Sequence, residues 1–310
     1  MQISTNFLFD RASKQMGSLQ NDLAKSQAQI SAQKQVMSPS DAPDQSSVIT
    51  RLKSVLTHNE GYSKALDSVQ ARLESETTTL SSASDLLVRI KELAIQANSA
   101  TQGKTSRAAI ATEMKGLRDQ LLSLANATDT TGNYIFSGSK VNTPAFASDA
   151  NGEVTYQGDQ TRMSVAVGDQ RNIAINRPGT NAFVRVVRTD DAGGTTGVGF
   201  FQAIDDLITG VKATDGTGGT AMSRGLSEID DLQRGVVLAQ AESGTDMKVV
   251  EQQNEVLDDT QLTLKTALAS VEDLDMAAAI TLMQKQLLSL EAAQASFAKV
   301  SQLSLFKYIG

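Results

Sequence analysis

Apolar residues recur in two columns along the stretch from Val48 to Ala97, and this repeat constrains the fold more than any other feature of the chain. Each column repeats every seven residues, and the positions between the columns are mostly Ser, Thr, Gln, Lys, Asp and Glu. A heptad repeat of this length predicts a long helix with one narrow apolar seam. At 1.5 Å per residue the helix would extend about 75 Å. Because a globular core cannot bury so long and narrow a seam, this helix requires a second long helix.

A second stretch with the same repeat runs from Met222 to Val271. The two stretches have similar lengths and a different kind of chain between them. The sequence therefore predicts an antiparallel coiled-coil rod. The first helix runs outward, the chain between the two stretches lies at the tip, and the second helix runs back. The alternative is a pair of ordinary amphipathic helices in a bundle enzyme, but such helices average about three to four turns. The predicted rod seam comprises Val48, Leu52, Val55, Leu66, Val69, Leu73, Leu80, Leu87 and Ile90, and then Ile229, Val236, Val250, Leu257, Leu264 and Val271.

The two ends of the chain carry weaker repeats. Residues 1–37 have a largely polar second column, so a helix there is marginal alone and is expected to become ordered against partners. A short helix docked on the same molecule is the alternative. After residue 273 the repeat changes phase and continues as a helix that is apolar on more than one side. The predicted assembly interface comprises Met16, Leu19, Leu23, Ile30, Ile280, Met283, Leu287, Leu290, Phe297, Leu303, Leu305, Phe306 and Ile309.

The segment SPSDAPD at residues 38–44 interrupts the helical pattern. Pro39 disfavours a helical conformation at Ser38, and Asp41 is expected to cap the N-terminus of the next helix. The sequence therefore predicts a hinge between a terminal helix and the rod.

Between the two long helices the period of the apolar residues changes. A third helix with seam spacing, from Ile110 to Leu124, is expected to fold back along the rod. From Tyr134 to Val187 apolar and polar residues alternate, which predicts a small antiparallel β unit. Residues 190–199 are predicted to form a loop rich in Gly and Thr, followed by a short amphipathic helix over 200–211.

The predicted fold is therefore mainly α with a small β domain. A long antiparallel coiled-coil rod carries an inserted antiparallel β unit, and N- and C-terminal helices that pair on assembly flank the rod. The expected divisions are an N-terminal assembly helix and hinge (1–42), the outgoing rod helices (43–132), a β-rich outer domain with one short helix (133–219), the returning rod helix (220–275) and a C-terminal assembly helix (276–310).

The composition argues against several function classes. A net charge of −7 and a pI near 4.9 argue against a nucleic-acid surface, which requires a basic face. The absence of cysteine excludes disulfides, thiolate metal sites and cysteine nucleophiles. No apolar run is long enough to span a membrane, and the first residues show no signal-peptide pattern. These features predict a cytoplasmic chain, or one exported by a route that reads no cleaved signal.

The motifs that resemble catalytic or ligand sites have better structural explanations. Gly103-Lys104-Thr105 matches the end of a phosphate-binding loop, but the required earlier glycine is Asn98. His58 is the only histidine and lies outside both seam columns, as expected for a solvated helix face. Three adjacent Asp pairs begin at residues 205, 230 and 258, and neighbouring helical side chains point about 100° apart, so such a pair does not converge on one cation. The sequence predicts no enzyme activity, no cofactor and no metal site.

Both ends of the chain resemble the flagellin superfamily. The resemblance rests on MQISTN at 1–6, QAQISAQK at 27–34, PSDAP at 39–43, GLRDQLLSLAN at 116–126, GNYIFSG at 132–138, VEDLDMAAA at 271–279 and LSLFKYI at 303–309. It covers about the first 140 and the last 90 residues, and the β unit is too variable to contribute. Gln35 and Ala42 depart from the pattern, since the family often has Arg and Asp there.

The resemblance implies a structural protein of the bacterial flagellum at the junction of hook and filament. It implies a ring of about eleven subunits between hook-associated protein 1 and the first flagellin subunits. The terminal helices would line the tube, and the β domain would face outward. The resemblance also implies an extracellular location in the flagellum, export through the flagellar type III apparatus without a cleaved signal peptide, and an export chaperone before assembly. It implies neither nucleic-acid binding nor membrane insertion.

Two alternatives remain open at this point. The first is flagellin, the filament subunit, although flagellins typically have an opening rich in Asn-Thr-Asn and end in Leu-Leu-Arg. The second is a cytoplasmic coiled-coil scaffold or signalling rod, whose ends would be ordered in the monomer and which would not be exported.

Overall fold

The computed structural model describes residues 2–99, 102–150, 152–189, 194–213 and 218–309, with the side chains in these ranges except at 2–6, 8, 218 and 300–309. The helices are α1 (Gln2–Ala32), α2 (Pro43–Ala97), α3 (Lys104–Ala125), α4 (Gly179–Ala182), α5 (Phe200–Lys212), α6 (Gly218–Glu272) and α7 (Met276–Ile309). The strands are β1 (Phe146–Ser148), β2 (Val154–Tyr156), β3 (Ser164–Gly168), β4 (Arg171–Ala174), β5 (Val186–Thr189) and β6 (Thr195–Val198). This arrangement of long helices with a small antiparallel β region confirms the predicted fold class.

The chain forms two compact units. The terminal unit consists of Met1–His58 and Asp259–Gly310, and the central unit consists of Asn59–Asp258. Helices α2 and α6 each contribute residues to both units. The finer division into five segments stays a prediction.

In the central unit α2 and α6 run antiparallel. Lys91 of α2 forms an ion pair with Asp230 of α6, whereas Glu76, earlier in α2, accepts a hydrogen bond from Ser243, later in α6. Along the helix pair, residue numbers in α6 therefore increase as those in α2 decrease. This is the arrangement of an antiparallel coiled coil.

The main apolar core of the central unit lies where two further helices cover this pair. Helix α3 buries Ile110, Met114 and Leu121 in the same core as the α2 residues from Leu80 to Ala97. Helix α5 buries an apolar stripe in this core as well. Because four helices share the core, its central side chains are almost completely excluded from water.

The β region consists of three antiparallel two-stranded sheets, whereas the alternation predicted one β unit. β1 pairs with β2, β3 with β4, and β5 with β6. Each sheet is a local pair of strands that neighbour each other in the sequence, so the β region relies on the helices beneath it for most of its burial.

Two of these strands carry no apolar alternation and were not visible in the sequence. The side-chain amide of Asn126, just after α3, holds β1 in place: it donates to the Phe146 carbonyl and accepts from the Phe146 N–H, each at 2.8 Å. β6 consists of Thr and Gly apart from Val198, and its pairing with β5 defines it. The loop predicted for 190–199 is therefore wrong over β6.

In the terminal unit the two interruptions of the helices lie side by side. The Gln35 N–H donates to the Glu272 carbonyl at 2.8 Å, and the Leu274 N–H donates to the Gln33 carbonyl at 3.2 Å. Gln33 has a φ of 57°, the left-handed conformation in which helices commonly end. Asp275 then accepts hydrogen bonds from two backbone N–H groups in the first turn of α7.

The role predicted for Asp41 is wrong. Its carboxylate accepts a hydrogen bond from the Ser38 N–H at 2.9 Å and forms an ion pair with Lys25 at 2.8 Å. The carboxylate thus closes the turn that precedes α2 and binds a side chain of α1, so it does not cap the first N–H groups of α2.

Candidate assembly surfaces

In the terminal unit α1 pairs with α7. The rings of Phe9 and Phe297 meet edge to face with their centroids 5.3 Å apart. Farther along, the Ser26 hydroxyl donates to the Gln286 side-chain oxygen at 2.8 Å. A groove of about 410 Å³ lies between the two helices beside the aromatic pair. The pairing therefore leaves apolar space that a further side chain could fill.

The predicted assembly residues lie on this pair and are incompletely covered. Ile280 and Leu287 are 40% and 46% exposed. The side chains of Leu303, Leu305, Phe306 and Ile309 lie outside the described ones. The remaining members are half-buried: Met16, Leu19, Leu23, Ile30, Met283, Leu290 and Phe297.

Helix α7 also exposes apolar side chains that the predicted interface did not include. Leu288 is 67% exposed, and Leu282 is exposed as well. Leu287 and its neighbour Leu288 point about 100° apart around the helix axis, so α7 presents apolar surface on more than one side. The sequence did indicate this second apolar surface, because Leu282 and Leu288 lie outside the predicted seam of α7.

The predicted rod seam falls into two classes of burial. The seam residues of the central unit are buried: Leu66, Val69, Leu73, Leu80, Leu87, Ile90, Ile229, Val236, Val250 and Leu257. Those of the terminal unit are less covered, and four are half-buried: Val48, Leu52, Leu264 and Val271.

Val55 departs from the predicted seam, since 44% of it is exposed. The next residue, Leu56, is half-buried, and Ile49, seven residues before it, is buried. The assignment of Val55 to the seam is therefore corrected, because Leu56 is the less exposed apolar side chain at this level of α2.

Arg177 is the residue that sequence reasoning missed. It precedes α4 and is 2% exposed, and its guanidinium lies between α2 and α6. It donates to Glu76 at 2.9 Å and forms ion pairs with Glu242 and Asp246. Glu76 stands in the apolar column of α2, and Ser243 stands in the apolar column of α6. Glu76 and Ser243 are therefore polar residues that face each other within two otherwise apolar columns. This pattern was the sequence signal that a charged residue from outside the two helices binds there.

Ion pairs tie the interrupted helices of the terminal unit together. Glu272 binds the ammonium groups of Lys34 at 2.6 Å and Lys53 at 2.8 Å. Burial acts to raise the pKa of Glu272, but the hydrogen bonds from the two lysines outweigh it and hold that pKa below its usual value. The hydrogen bond from Lys25, followed by that from the Ser38 backbone, lowers the pKa of Asp41 to about 2. Both carboxylates therefore favour the charged form in which they hold this region together.

The acidic pairs do not form ligand sites. Asp205 binds Arg118 at 2.8 Å, whereas the adjacent Asp206 binds Arg188 at 2.7 Å. The two carboxylates thus have different partners, as their angular separation predicts. Within the described ranges no group of three or more potential ligands could hold a metal ion. None of the described helices combines the length and the hydropathy that a membrane span requires.

Comparison with known proteins gives concordant results. Residues 3–141 match the family described as the bacterial flagellin N-terminal helical region. The chain is 28% identical over 215 residues to flagellar hook-associated protein 3 of Escherichia coli, an alignment that covers 68% of this chain and 67% of the relative.

Solved structures share the fold. Hook-associated protein 3 of Legionella pneumophila superposes with a TM-score of 0.66 at 18% identity, over 72% of this chain and 98% of that protein. A structure described as the flagellar junction protein FlgL, also from Legionella pneumophila, has a TM-score of 0.58 at 18% identity, over 66% of this chain and 99% of that one.

Proposed function

We propose that this chain is a member of the flagellin superfamily, a family of structural flagellar proteins and not of enzymes, and that it forms the ring that joins the hook to the flagellin filament. The names of the relatives, hook-associated protein 3 and flagellar junction protein, support this position. In this proposal about eleven copies associate with one another, with hook-associated protein 1 on one side and with flagellin on the other.

The proposal includes a route to the flagellum outside the cell. The chain is exported through the flagellar type III apparatus without a cleaved signal peptide, and a chaperone binds it before assembly. A chain without cysteine suits such a route, because no disulfide has to form after export.

The incomplete burial of the α1–α7 pair is the observation that carries the assembly mechanism. Ile280, Leu287 and Leu288 remain exposed on α7 after α1 has covered one side of it. Large apolar side chains exposed on neighbouring parts of one helix are typical of a protein–protein contact. In the proposal these side chains become buried against neighbouring subunits, and the gain in buried apolar area outweighs the entropy lost when the terminal helices become fully ordered.

The proposal is tested with a strain that lacks this protein. Electron microscopy should show hooks without filaments, and flagellin should accumulate in the medium. A chain that lacks Leu303–Gly310 should be exported and fold in its central unit, but should not restore filaments. Normal filaments on the deletion strain, or full complementation by the shortened chain, would contradict the proposal.

A matched pair of substitutions separates assembly from folding. Leu287→Asp places a charge on the proposed contact surface and should reduce filament number by about tenfold or more. Ser289→Asp places the same charge at an exposed position of α7 that lies about 160° around the helix from Leu287 and about 100° from Leu288, and it should leave filament number unchanged. If both variants assemble equally well, Leu287 lies outside the contact.

A further inference from the structure

The long helices of the central unit bury two separate apolar clusters with a polar layer between them. The first, here the α3 cluster, contains the α2 residues from Leu80 to Ala97 together with α3, α5 and the start of α6. The second, here the β3–β4 cluster, contains Leu66, Val69, Leu73, Val167, Ile173, Val250 and Leu257.

The polar layer interrupts the seam at one level on both helices. Glu76 lies between Leu73 and Leu80 in α2 and is 1% exposed. Ser243 is fully buried at the same level of α6, and its hydroxyl donates to Glu76 at 2.6 Å. Apolar contact along the helix pair therefore stops at this layer and starts again beyond it.

Arg177 fills the layer and binds both helices at once. Its guanidinium reaches Glu76 of α2 as well as Glu242 and Asp246 of α6, and Arg162 lies 4.0 Å from Asp246. The other buried arginine near this level, Arg72, binds Asp129 and two backbone carbonyls after α3, so these contacts join α2 to that segment and not to α6. Arg177 is thus the ion-pair connection between α2, α6 and the β region at this layer.

We propose that the Arg177 layer is a coupling device that makes the two apolar clusters open and close as one cooperative unit. With Arg177 present, the layer transmits the stability of the large α3 cluster to the smaller β3–β4 cluster. Without it, the buried Glu76 loses its guanidinium partner and keeps only the hydrogen bond from the Ser243 hydroxyl, and a buried carboxylate without a counter-charge favours separation of the helices there. The β3–β4 cluster then opens while the α3 cluster stays closed. This property belongs to the central unit and does not depend on what the chain assembles with.

Hydrogen exchange of the full-length chain, followed by mass spectrometry in graded denaturant, tests the proposal. In the native protein the buried amides of 62–73 and of 80–97 should show the same limiting exchange rate, because both require the same opening. Arg177→Met should accelerate exchange in 62–73 and 249–257 on the order of a hundredfold, while 80–97 keeps its native rate.

Arg188→Met provides the matched control. Arg188 also ties three elements together, since it binds Asp206 of α5 and Glu228 of α6, but it lies wholly on the side of the α3 cluster. With the Arg177 layer intact, this variant should accelerate exchange in both clusters by the same factor. In the double variant Arg177→Met/Arg188→Met, exchange should be faster than in Arg177→Met alone in the α3 cluster only.

Three results would overturn the coupling. The clusters could already exchange at different limiting rates in the native protein, Arg177→Met could accelerate both clusters equally, or it could change neither. If Arg177→Met abolishes the helical circular-dichroism signal, Arg177→Lys and Glu242→Gln replace it, and the same ratio of exchange rates decides.

Discussion

The terminal and central units contain the same kind of helix but bury it to different extents. In the central unit Leu66, Leu73 and Leu80 are almost fully excluded from water. In the terminal unit Val55 and Leu287 each leave about 45% of their surface exposed, although the heptad pattern of the chain continues through both regions. The difference comes from neighbours: α3, α5 and the β region cover the helix pair of the central unit, whereas the described residues of the terminal unit form helices and the short segments that join them.

This contrast shows that a heptad pattern states which side of a helix is apolar but not how well that side is covered. A two-helix contact buries a narrow line of side chains, and a third or fourth helix is needed to exclude water from the rest. A unit with such spare apolar surface is suited to receive neighbours, and a unit without it is suited to hold its shape alone.

The largest expected effect compares a buried and an exposed apolar position of α2, one in each unit. Leu73→Asp buries an unpaired charge and should destabilise the central unit by about 4 kcal/mol, which corresponds to a fall in unfolding midpoint of about 10 °C. Val55→Asp, in the same helix, should cost less than about 0.5 kcal/mol, because Val55 already contacts water. Thermal unfolding followed by circular dichroism measures both, and equal midpoints for the two variants would remove the distinction between the units.

Limited proteolysis of the dilute chain sharpens the comparison. Because the terminal helices are held by few buried contacts, cleavage within 1–37 and 280–310 should be about tenfold or more faster than cleavage within 59–258. Trypsin suits this test, since lysines are available in both regions. Protection of both ends at low concentration would mean that the α1–α7 pair is stable without neighbours.

The smallest expected effect is a pH dependence of the terminal unit. Asp41 and Glu272 have pKa values held below their usual range in the folded chain. Depressed carboxyl pKa values contribute stability that is present above the unfolded value of about 4 and is lost as the pH falls through the folded value, about 2 for Asp41. Hydrogen exchange in α1 should therefore accelerate as the pH is lowered from 5 to about 2, after correction for intrinsic exchange.

Glu272→Gln serves as the control for this pH dependence. The amide keeps the shape of the side chain but loses its charge, so the contribution of the Lys34 and Lys53 ion pairs should disappear at every pH and the profile should flatten. An unchanged profile would show that other carboxylates hold α1.

Most of the helical architecture followed from residue pattern alone, and so did the resemblance to the flagellin superfamily. The two heptad stretches predicted α2 and α6, and the end motifs predicted the flagellin superfamily, because both are local features that repeat or persist along the chain. The strands β1 and β6 were not predictable in this way. β1 is held by its hydrogen bonds with Asn126, which lies 20 residues earlier in the sequence. β6 is defined by its pairing with β5, and its own residues show no apolar alternation.

The sequence by itself determined that this chain builds long paired helices with a β insertion and loosely patterned ends, since the period of apolar residues fixes which faces must be hidden. Only the tertiary structure decided how completely each face is hidden, that Leu56 and not Val55 is the more buried side chain at its level, and that Arg177 enters the seam to bind Glu76. The physical reason is that burial and charge pairing depend on which distant segments come into contact. The sequence pattern shows that an apolar face needs a partner, but it does not show which segment supplies that partner.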